Sequence, residues 1–469
     1  MAQHTETLNW DTLTSHFEYR PLDHTSTPRA SNLYLRLAPN QTTDIYSFAT
    51  EFAYKIAVDI KAERQKYPEK YQRPKEDDYL LDDATALKIS PTVQRLHYQR
   101  KTEIRACTHH DDEDTRFSRD DGYSYYDSGR SFSDGFEFNC DCALPLRERK
   151  VHAFLRQYRQ NGCYMFERVN GAATFNMNVT MALLVHGELD LVLRICSHPD
   201  VDYQYWREVQ QCQCVGAEEG WDQLYRLALR AYLVLNIMRQ FPKLRVPGPK
   251  RTTPYTETYR DTKLYQEIVY ECTNLEAEVP GLSHYYFFGM TEKTSKTVFQ
   301  RRNMAKMNGP GAHLLPPSFL NFLDRTPMSP QAIAFLGEYG FPYGHAPFEV
   351  FRDEFSESSL PHETEREEVC HLLRSTVLPE ELVIQVMDEA GYNGRTRQLL
   401  VAHDPLAEEN ATILDHYLAE CWRIMVQCSV FAHGLGEDIK WKQEVIWFLR
   451  HNIRGPEGQL LEYVGSEMS

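Results

Sequence analysis

The stretch WDQLYRLALRAYLVLNIMRQF, residues 221–241, decides the fold class of this chain. Its apolar residues recur every three to four positions, which is the period of an α-helix with one buried face. The residues of this stripe are Leu224, Leu227, Ala228, Ala231, Leu235 and Met238. Because Arg226, Arg230 and Asn236 interrupt it, the stretch is not a membrane span, which needs roughly 18 apolar residues. We predict a buried amphipathic helix.

Helical signals also occur on both sides of this stretch. Ile45, Phe48, Phe52 and Ile56 share one face of a helix that begins near Thr42. Similar signals predict helices over 331–339, 378–392, 406–431 and 439–453. The sequence therefore predicts a mainly α fold with a minor β element (α+β) and a helical C-terminal region.

The minor β element is predicted at residues 181–195. The apolar residues alternate with Asp190 and Arg194, which is the period of a half-buried strand: Leu189, Leu191, Leu193 and Ile195. Met181–Val185 precedes them, and His186-Gly187 is a candidate turn, so a β-hairpin is predicted. A continuous helix from Asn178 to Ile195 is the alternative interpretation.

The chain is predicted to have two regions. Residues 1–245 form an N-terminal α+β region, and residues 255–469 form a mainly helical C-terminal region. Four prolines between 242 and 254 make a stiff connection at the boundary. Within the N-terminal region, 107–135 is rich in Asp, Ser, Gly and Tyr and predicts a flexible loop.

Composition and charge argue against a nucleic-acid-binding protein, a secreted protein and a membrane protein. Asp and Glu number 67 against 51 Lys and Arg, giving a net charge of −16. Nucleic-acid binding is disfavoured because a binder needs a basic face. The first residues lack the apolar segment of a secretory signal. We therefore predict a cytoplasmic or nuclear protein with no membrane partner, in which the 11 cysteines are thiols, mostly buried.

The known motifs of catalysis do not occur in the sequence: no phosphate-binding loop, dinucleotide glycine fingerprint, nucleophile elbow or His-Glu-x-x-His zinc motif is present. His186-x-Glu188 followed by Cys212-x-Cys214 is similar to the zinc-deaminase signature. The signature needs two residues between its cysteines and a proline before them. Here one residue separates the cysteines and no proline precedes them, so a chance match is favoured over a metal site.

Other candidate ligands and acid/base groups are dispersed. Cys140-x-Cys142 with Cys107, His109 or His110 has no standard zinc spacing, so cysteines on a strand are the favoured interpretation. General acid/base candidates are His284, His313, His345, His371 and the pair His403-Asp404. We predict no metal and no cofactor.

The segment that begins at Leu378 is the most informative short motif. It resembles the opening of an F-box, which binds a Skp1-like adaptor through a small helical surface. The resemblance rests on Leu378, Pro379, Glu381, Leu382, Val383 and Val386, which are the candidate interaction residues. The downstream Val-x-x-x-Trp of an F-box is absent. The alternative is an ordinary capped helix whose Leu382 and Val386 face lies in the core.

A wider resemblance covers roughly residues 280–455. Its phrases are the LLPPSFLNFLDRTP stretch at 314–327, PQAIAFL at 330–336, the 378–383 segment and His403-Asp404-Pro405-Leu406. They are similar to those of an uncharacterised filamentous-fungal protein family. The resemblance implies a family and no reaction.

These observations favour an intracellular protein-interaction or regulatory protein without a catalytic motif. The 28 tyrosines are residues that interfaces favour, and a protein partner is predicted. One alternative is an F-box-like ubiquitin-ligase adaptor with a Skp1-like partner. The other is an enzyme whose pocket is built from dispersed His, Asp and Tyr residues.

Overall fold

A computed structural model describes parts of the chain. These are residues 8–20, 32–35, 42–98, 144, 146–159, 166–207, 220–241, 258–273, 284–288, 361–376, 378–390, 392 and 397–453. The helices in them are α1 (Trp10–Thr14), α2 (Thr42–Arg64), α3 (Asp83–Tyr98), α4 (Val151–Phe154), α5 (Phe166–Val185), α6 (Leu189–Cys196), α7 (Asp222–Arg239), α8 (Lys263–Thr273), α9 (His284–Phe287), α10 (Glu363–Ser375), α11 (Glu380–Glu389), α12 (Ala411–Gly434) and α13 (Trp441–Asn452).

Within the described residues, the β structure is one small antiparallel sheet. Strand β1 (Phe17–Arg20) pairs with β2 (Asn32–Leu35), with Phe17 opposite Leu35 and Arg20 opposite Asn32. Short 3₁₀ turns complete the described secondary structure at Leu146–Arg149, Tyr203–Trp206, Tyr259–Asp261 and Glu408–Asn410. The predicted fold class, mainly α with a minor β element, is confirmed.

The chain divides into two compact units, and each is described by itself. Residues 1–67 and 218–469 form the first unit, and residues 68–217 form the second. The predicted boundary at 245–255 lies outside the described residues, as do the predicted flexible loop at 107–135 and the predicted helix at 331–339.

The core of the first unit lies where α7, α12, α2 and α13 meet. Helix α12 packs along α7 and also against α2, which in turn contacts α13. The predicted apolar stripes of α2 and α7 are buried, so both helix predictions are confirmed. Phe52 meets Trp422 edge-on with ring centroids 5.2 Å apart, and Trp221 meets Phe431 at 5.0 Å. Such pairs contribute about 0.5–1.5 kcal/mol beyond the burial of their area.

Helix α12 begins at Ala411, five residues after the predicted start at 406. The buried Asn410 carboxamide explains the difference, because it organises the preceding turn by accepting hydrogen bonds from the amides of Leu400 (2.7 Å) and Val401 (3.2 Å). It also donates to the carbonyls of Val401 (2.9 Å) and Asp404 (2.7 Å). Four hydrogen bonds to one side chain fix this segment outside the helix.

The second unit is built around α5, which contacts α3, α4 and α6. The predicted β-hairpin is wrong: this segment forms α5 and α6, separated by a turn at Gly187 with φ of 78°. The Glu188 amide bonds to the Leu183 carbonyl and the Gly187 amide to the Leu184 carbonyl, the pattern in which glycine ends a helix. The alternative interpretation, one continuous helix from Asn178 to Ile195, is also wrong, because the turn at Gly187 divides this stretch into two helices.

The false strand signal has a simple cause. Leu189 and Leu193 are four residues apart and share a helix face as well as a strand face, and so do Asp190 and Arg194. Burial of Leu189, Val192 and Leu193 shows the helical spacing directly. Among the described residues, no helix is long and apolar enough to cross a membrane.

Candidate functional site

The predicted interaction residues lie at and just before the start of α11. Pro379 precedes the helix, and its carbonyl accepts hydrogen bonds from the amides of Leu382 (3.0 Å) and Val383 (3.1 Å). Glu380 and Glu381 occupy the first turn, where carboxylates stabilise the positive end of the helix dipole. The helix predicted at this segment is confirmed.

The apolar side chains of this segment divide between two faces. Val383 and Met387, four residues apart, are buried. Leu378, Leu382 and Val386 remain 37%, 44% and 40% exposed. We call these three exposed residues the α11 apolar face. The alternative that placed Leu382 and Val386 in the core is wrong, because the core face begins one residue later. Pro379 and Glu381 are also exposed.

Helix α10 precedes α11 and has no buried residue. Its first turn is fixed by a capping box, in which His362 Nδ1 accepts from the Thr364 amide (3.1 Å) and the His362 amide donates to Glu365 Oε2 (3.0 Å). The Glu365 carboxylate also holds the buried Arg397 guanidinium through two hydrogen bonds. These hydrogen bonds hold the N-terminal end of α10 in place.

The charged groups of these helices reinforce this arrangement. Burial alone would raise the pKa of Glu365. The hydrogen bonds that its carboxylate accepts from Arg397 and His362 have the larger combined effect, so the pKa lies below its ordinary value. At the other end of α10, Arg374 Nη2 lies 2.5 Å from Glu380 Oε1. This hydrogen bond raises the pKa of Arg374 and lowers the pKa of Glu380. The pair joins the end of α10 to the start of α11.

A second polar cluster joins residues that the sequence analysis had predicted as dispersed acid/base groups. Tyr259 Oη donates to Asp404 Oδ1 (2.5 Å) and accepts from the Leu406 amide (3.2 Å). His403 Nδ1 donates to the Phe288 carbonyl (3.2 Å), and His403 has a left-handed φ of 56°. The turn that carries the His403-Asp404 motif is thus fixed against the segments at 259 and 288.

The same cluster extends into the core at α9 and α12. His284 Nδ1 is hydrogen-bonded to Tyr417 Oη, and the ring of Phe287 stacks on Tyr417 at 3.6 Å. Burial raises the pKa values of Tyr259 and Tyr417, and those of the Cys272 and Cys421 thiols, well above their ordinary values. The phenols therefore stay protonated at neutral pH, and the thiols are not nucleophiles.

This cluster brings His284, His403 and Asp404 into one unit, together with two tyrosines, Tyr259 and Tyr417, that the sequence analysis missed. Neither tyrosine lies in a motif. Tyr417 is on the buried stripe of α12, and its hydroxyl carries no sequence signal. The arrangement is a set of separate hydrogen bonds, of which those of Tyr259 and His403 hold the 403–406 turn. The enzyme hypothesis stays a prediction.

The other candidates have ordinary contacts or lie outside the described residues. His186 Nε2 is hydrogen-bonded to Thr92 Oγ1 (2.8 Å), and Glu188 pairs with Lys88 (2.6 Å). His371 is exposed on α10. Outside the description lie Cys107, His109, His110, Cys140, Cys142, Cys212, Cys214, His313 and His345. Within the described ranges, no group of three or more His, Cys, Asp or Glu side chains could hold a metal ion.

Comparison with known proteins identifies a family. A family model described as "Gramillins biosynthetic cluster protein GRA5" matches residues 11–456, which is nearly the whole chain. No curated protein and no solved structure matches. The match extends beyond residues 280–455, the part that carries the resemblance to a filamentous-fungal family.

Proposed function

Because the chain belongs to the family of gramillins biosynthetic cluster protein GRA5, we propose that it serves a fungal biosynthetic cluster as a protein-interaction component. Its docking surface in this proposal is the α11 apolar face. The observation that carries the proposal is the exposure of Leu378, Leu382 and Val386 along one face of the segment.

The energetics favour docking on this face. Burial of a wholly exposed leucine or valine side chain is favourable by about 1.5–3 kcal/mol, and Leu382 and Val386, which are 44% and 40% exposed, would each gain less than half of this. Leu382 and Val386 are four residues apart, so one partner surface can cover both. Because α11 is already helical in the free chain, little ordering entropy is lost when a partner binds.

The charges beside the α11 apolar face describe the partner further. Glu381 is exposed at the start of α11, next to Leu382, whereas the Glu380 carboxylate is paired with Arg374. A complementary surface is therefore apolar at its centre and basic at its rim. A Skp1-like adaptor is the specific candidate, supported by the F-box resemblance of the segment and by the exposure of Leu378, Leu382 and Val386.

The test is affinity capture with the full-length chain from the fungal cells that express it. The wild-type chain is compared with Leu382→Asp, and Leu87→Asp serves as the matched control because Leu87 is a 59% exposed helical leucine in the second unit. A stoichiometric partner, with a Skp1-like adaptor assayed by name, should be retained by Leu87→Asp and lost by Leu382→Asp. Equal capture by all three chains contradicts the proposal.

A further inference from the structure

Helix α10 has no buried residue, although Val369, Leu372 and Leu373 lie on it. Leu372 is 56% exposed. A helix of 13 residues is marginal by itself in water, because most helical stability in proteins comes from the packing of an apolar face. Hydrogen bonds hold the N-terminal end of α10. Its C-terminal half is therefore the part to which a partner would add packing.

Helices α10 and α11 form a hairpin. Residues 376–379 alone separate them, and so short a connection makes two contacting helices antiparallel neighbours. The Arg374–Glu380 ion pair lies on one face of this hairpin. Leu372 is two residues before Arg374, Leu382 is two residues after Glu380, and two residues turn a helix by about 200°. Leu372 and Leu382 therefore both lie on the opposite face of the hairpin.

The more buried side chains agree with this arrangement. Leu373 is half-buried and Val383 is buried. On each helix this residue lies, in projection down the helix axis, between the ion-pair residue and the exposed leucine. The axes of packed helices are about 8–10 Å apart, so one element of a partner can contact Leu372 together with Leu382 and Val386. We call Leu372 and the α11 apolar face together the hairpin apolar surface.

Carboxylates border the hairpin apolar surface. Glu368 is exposed one turn before Leu372, and Glu381 is exposed beside Leu382. In the part of the chain that the structure describes, neither carboxylate forms a salt bridge. Charges at the rim of an interface select its partner and speed association. Lys or Arg side chains of a partner are the groups that complement this rim.

We propose that the hairpin apolar surface binds an amphipathic helix of the partner. The apolar stripe of this helix covers Leu372, Leu382 and Val386, and Lys or Arg side chains line its edges. A helix is the element that packs against two neighbouring helices at once, whereas an added strand needs a free sheet edge. The inference rests on the proposed function. It adds Leu372 to the docking surface and states the form and charge of what the partner presents.

The probe is a synthetic helical peptide of about 18 residues, with leucines at helical spacing and lysines at the other positions. Its binding to the full-length chain is measured by fluorescence anisotropy. A peptide with glutamate in place of lysine is the matched control. The leucine–lysine peptide should bind in a saturable way, and the leucine–glutamate peptide should not. Absence of saturable binding, or equal binding of the two peptides, overturns the inference.

Aspartate variants separate contact with the surface from general attraction of lysines to an acidic chain. Leu372→Asp and Leu382→Asp should each weaken binding of the leucine–lysine peptide at least about tenfold, with an unchanged Tm. Each variant adds a negative charge, so general attraction would instead become stronger. Ile384→Asp is the control, because Ile384 is 50% exposed on the face of α11 that carries Glu380. It should bind the peptide as the wild-type chain does.

A pair of charge variants tests the rim. Glu368→Lys should weaken binding more than Glu367→Lys, which makes the same change at the adjacent exposed residue, about 100° further round the helix. Equal effects of these two variants overturn the basic rim of the partner helix. Weakening by Leu382→Asp without weakening by Leu372→Asp overturns the inference and leaves the α11 apolar face in place. Undiminished binding in both overturns the inference, and affinity capture then decides the proposed function separately.

Discussion

Leu382 and Val383 are adjacent in α11 and lie in opposite environments: Leu382 is 44% exposed, and Val383 is buried. The two positions separate docking from folding. Val383→Asp places an unpaired carboxylate in the core and should destabilise the first unit by more than about 3 kcal/mol. Leu382→Asp should change stability by no more than about 0.5 kcal/mol. Thermal denaturation followed by circular dichroism measures both, and similar losses in the two variants would contradict the assigned faces.

The Glu365–Arg397 pair should make stability depend on pH. The pKa of Glu365 is lower in the folded chain than its ordinary value of 4.5, so its contribution is complete above that value. It is lost as the pH falls through the lower, folded pKa. Glu365→Gln should therefore lower the Tm at about pH 7, and its effect should shrink as the pH falls through the folded pKa, because the wild-type carboxyl then becomes neutral as well. A difference in Tm that does not change with pH would exclude this explanation.

The buried hydroxyl of Tyr259 should stabilise the 403–406 turn. Tyr259→Phe removes the hydroxyl that donates to Asp404 and accepts from the Leu406 amide. The Asp404 carboxylate and the Leu406 amide each lose this hydrogen bond. A loss of about 1–3 kcal/mol in the free energy of unfolding is expected. Tyr54→Phe is the control, because Tyr54 is exposed on α2. Denaturant titration of both variants gives the comparison, and equal stabilities would show that the turn is not held by this group.

The left-handed backbone at His403 gives a separate test of the same turn. His403→Ala and His403→Gly both remove the imidazole and its hydrogen bond to Phe288, but only alanine keeps a Cβ at a φ of 56°. His403→Gly should therefore be more stable than His403→Ala by about 1 kcal/mol. Because both variants lack the imidazole, its contribution drops out when their free energies of unfolding are subtracted. A glycine variant less stable than the alanine variant would contradict the left-handed conformation.

Residue patterns predicted the elements whose periodicity is long and regular. The stripes of α2 and α7 extend over several turns, so a strand cannot produce the same pattern. The pattern at Leu189 and Leu193 is short, and residues four apart fit both periods. Gly187 was the sequence signal that could have decided between a helix and a strand, since a glycine after an apolar helical stretch commonly ends the helix.

The candidate surface could be predicted only in part. The motif at 378–383 predicted the start of the helix that forms α11, but the exposure of Leu382 depends on which face the rest of the fold covers. Both possible stripes, Leu382 with Val386 and Val383 with Met387, have helical spacing. The polar cluster at Tyr259 and Asp404 joins residues 145 positions apart, and no local pattern encodes such a contact.

We propose that the α11 apolar face is the interface with a protein partner. Hydrogen–deuterium exchange of the full-length chain, alone and in the complex recovered by capture, tests it most directly. We predict that amides of residues 380–389 exchange more slowly in the complex, while those of α3 around Leu87 exchange at the same rate. Unchanged exchange over 380–389 in a stoichiometric complex would contradict the claim and place the interface elsewhere.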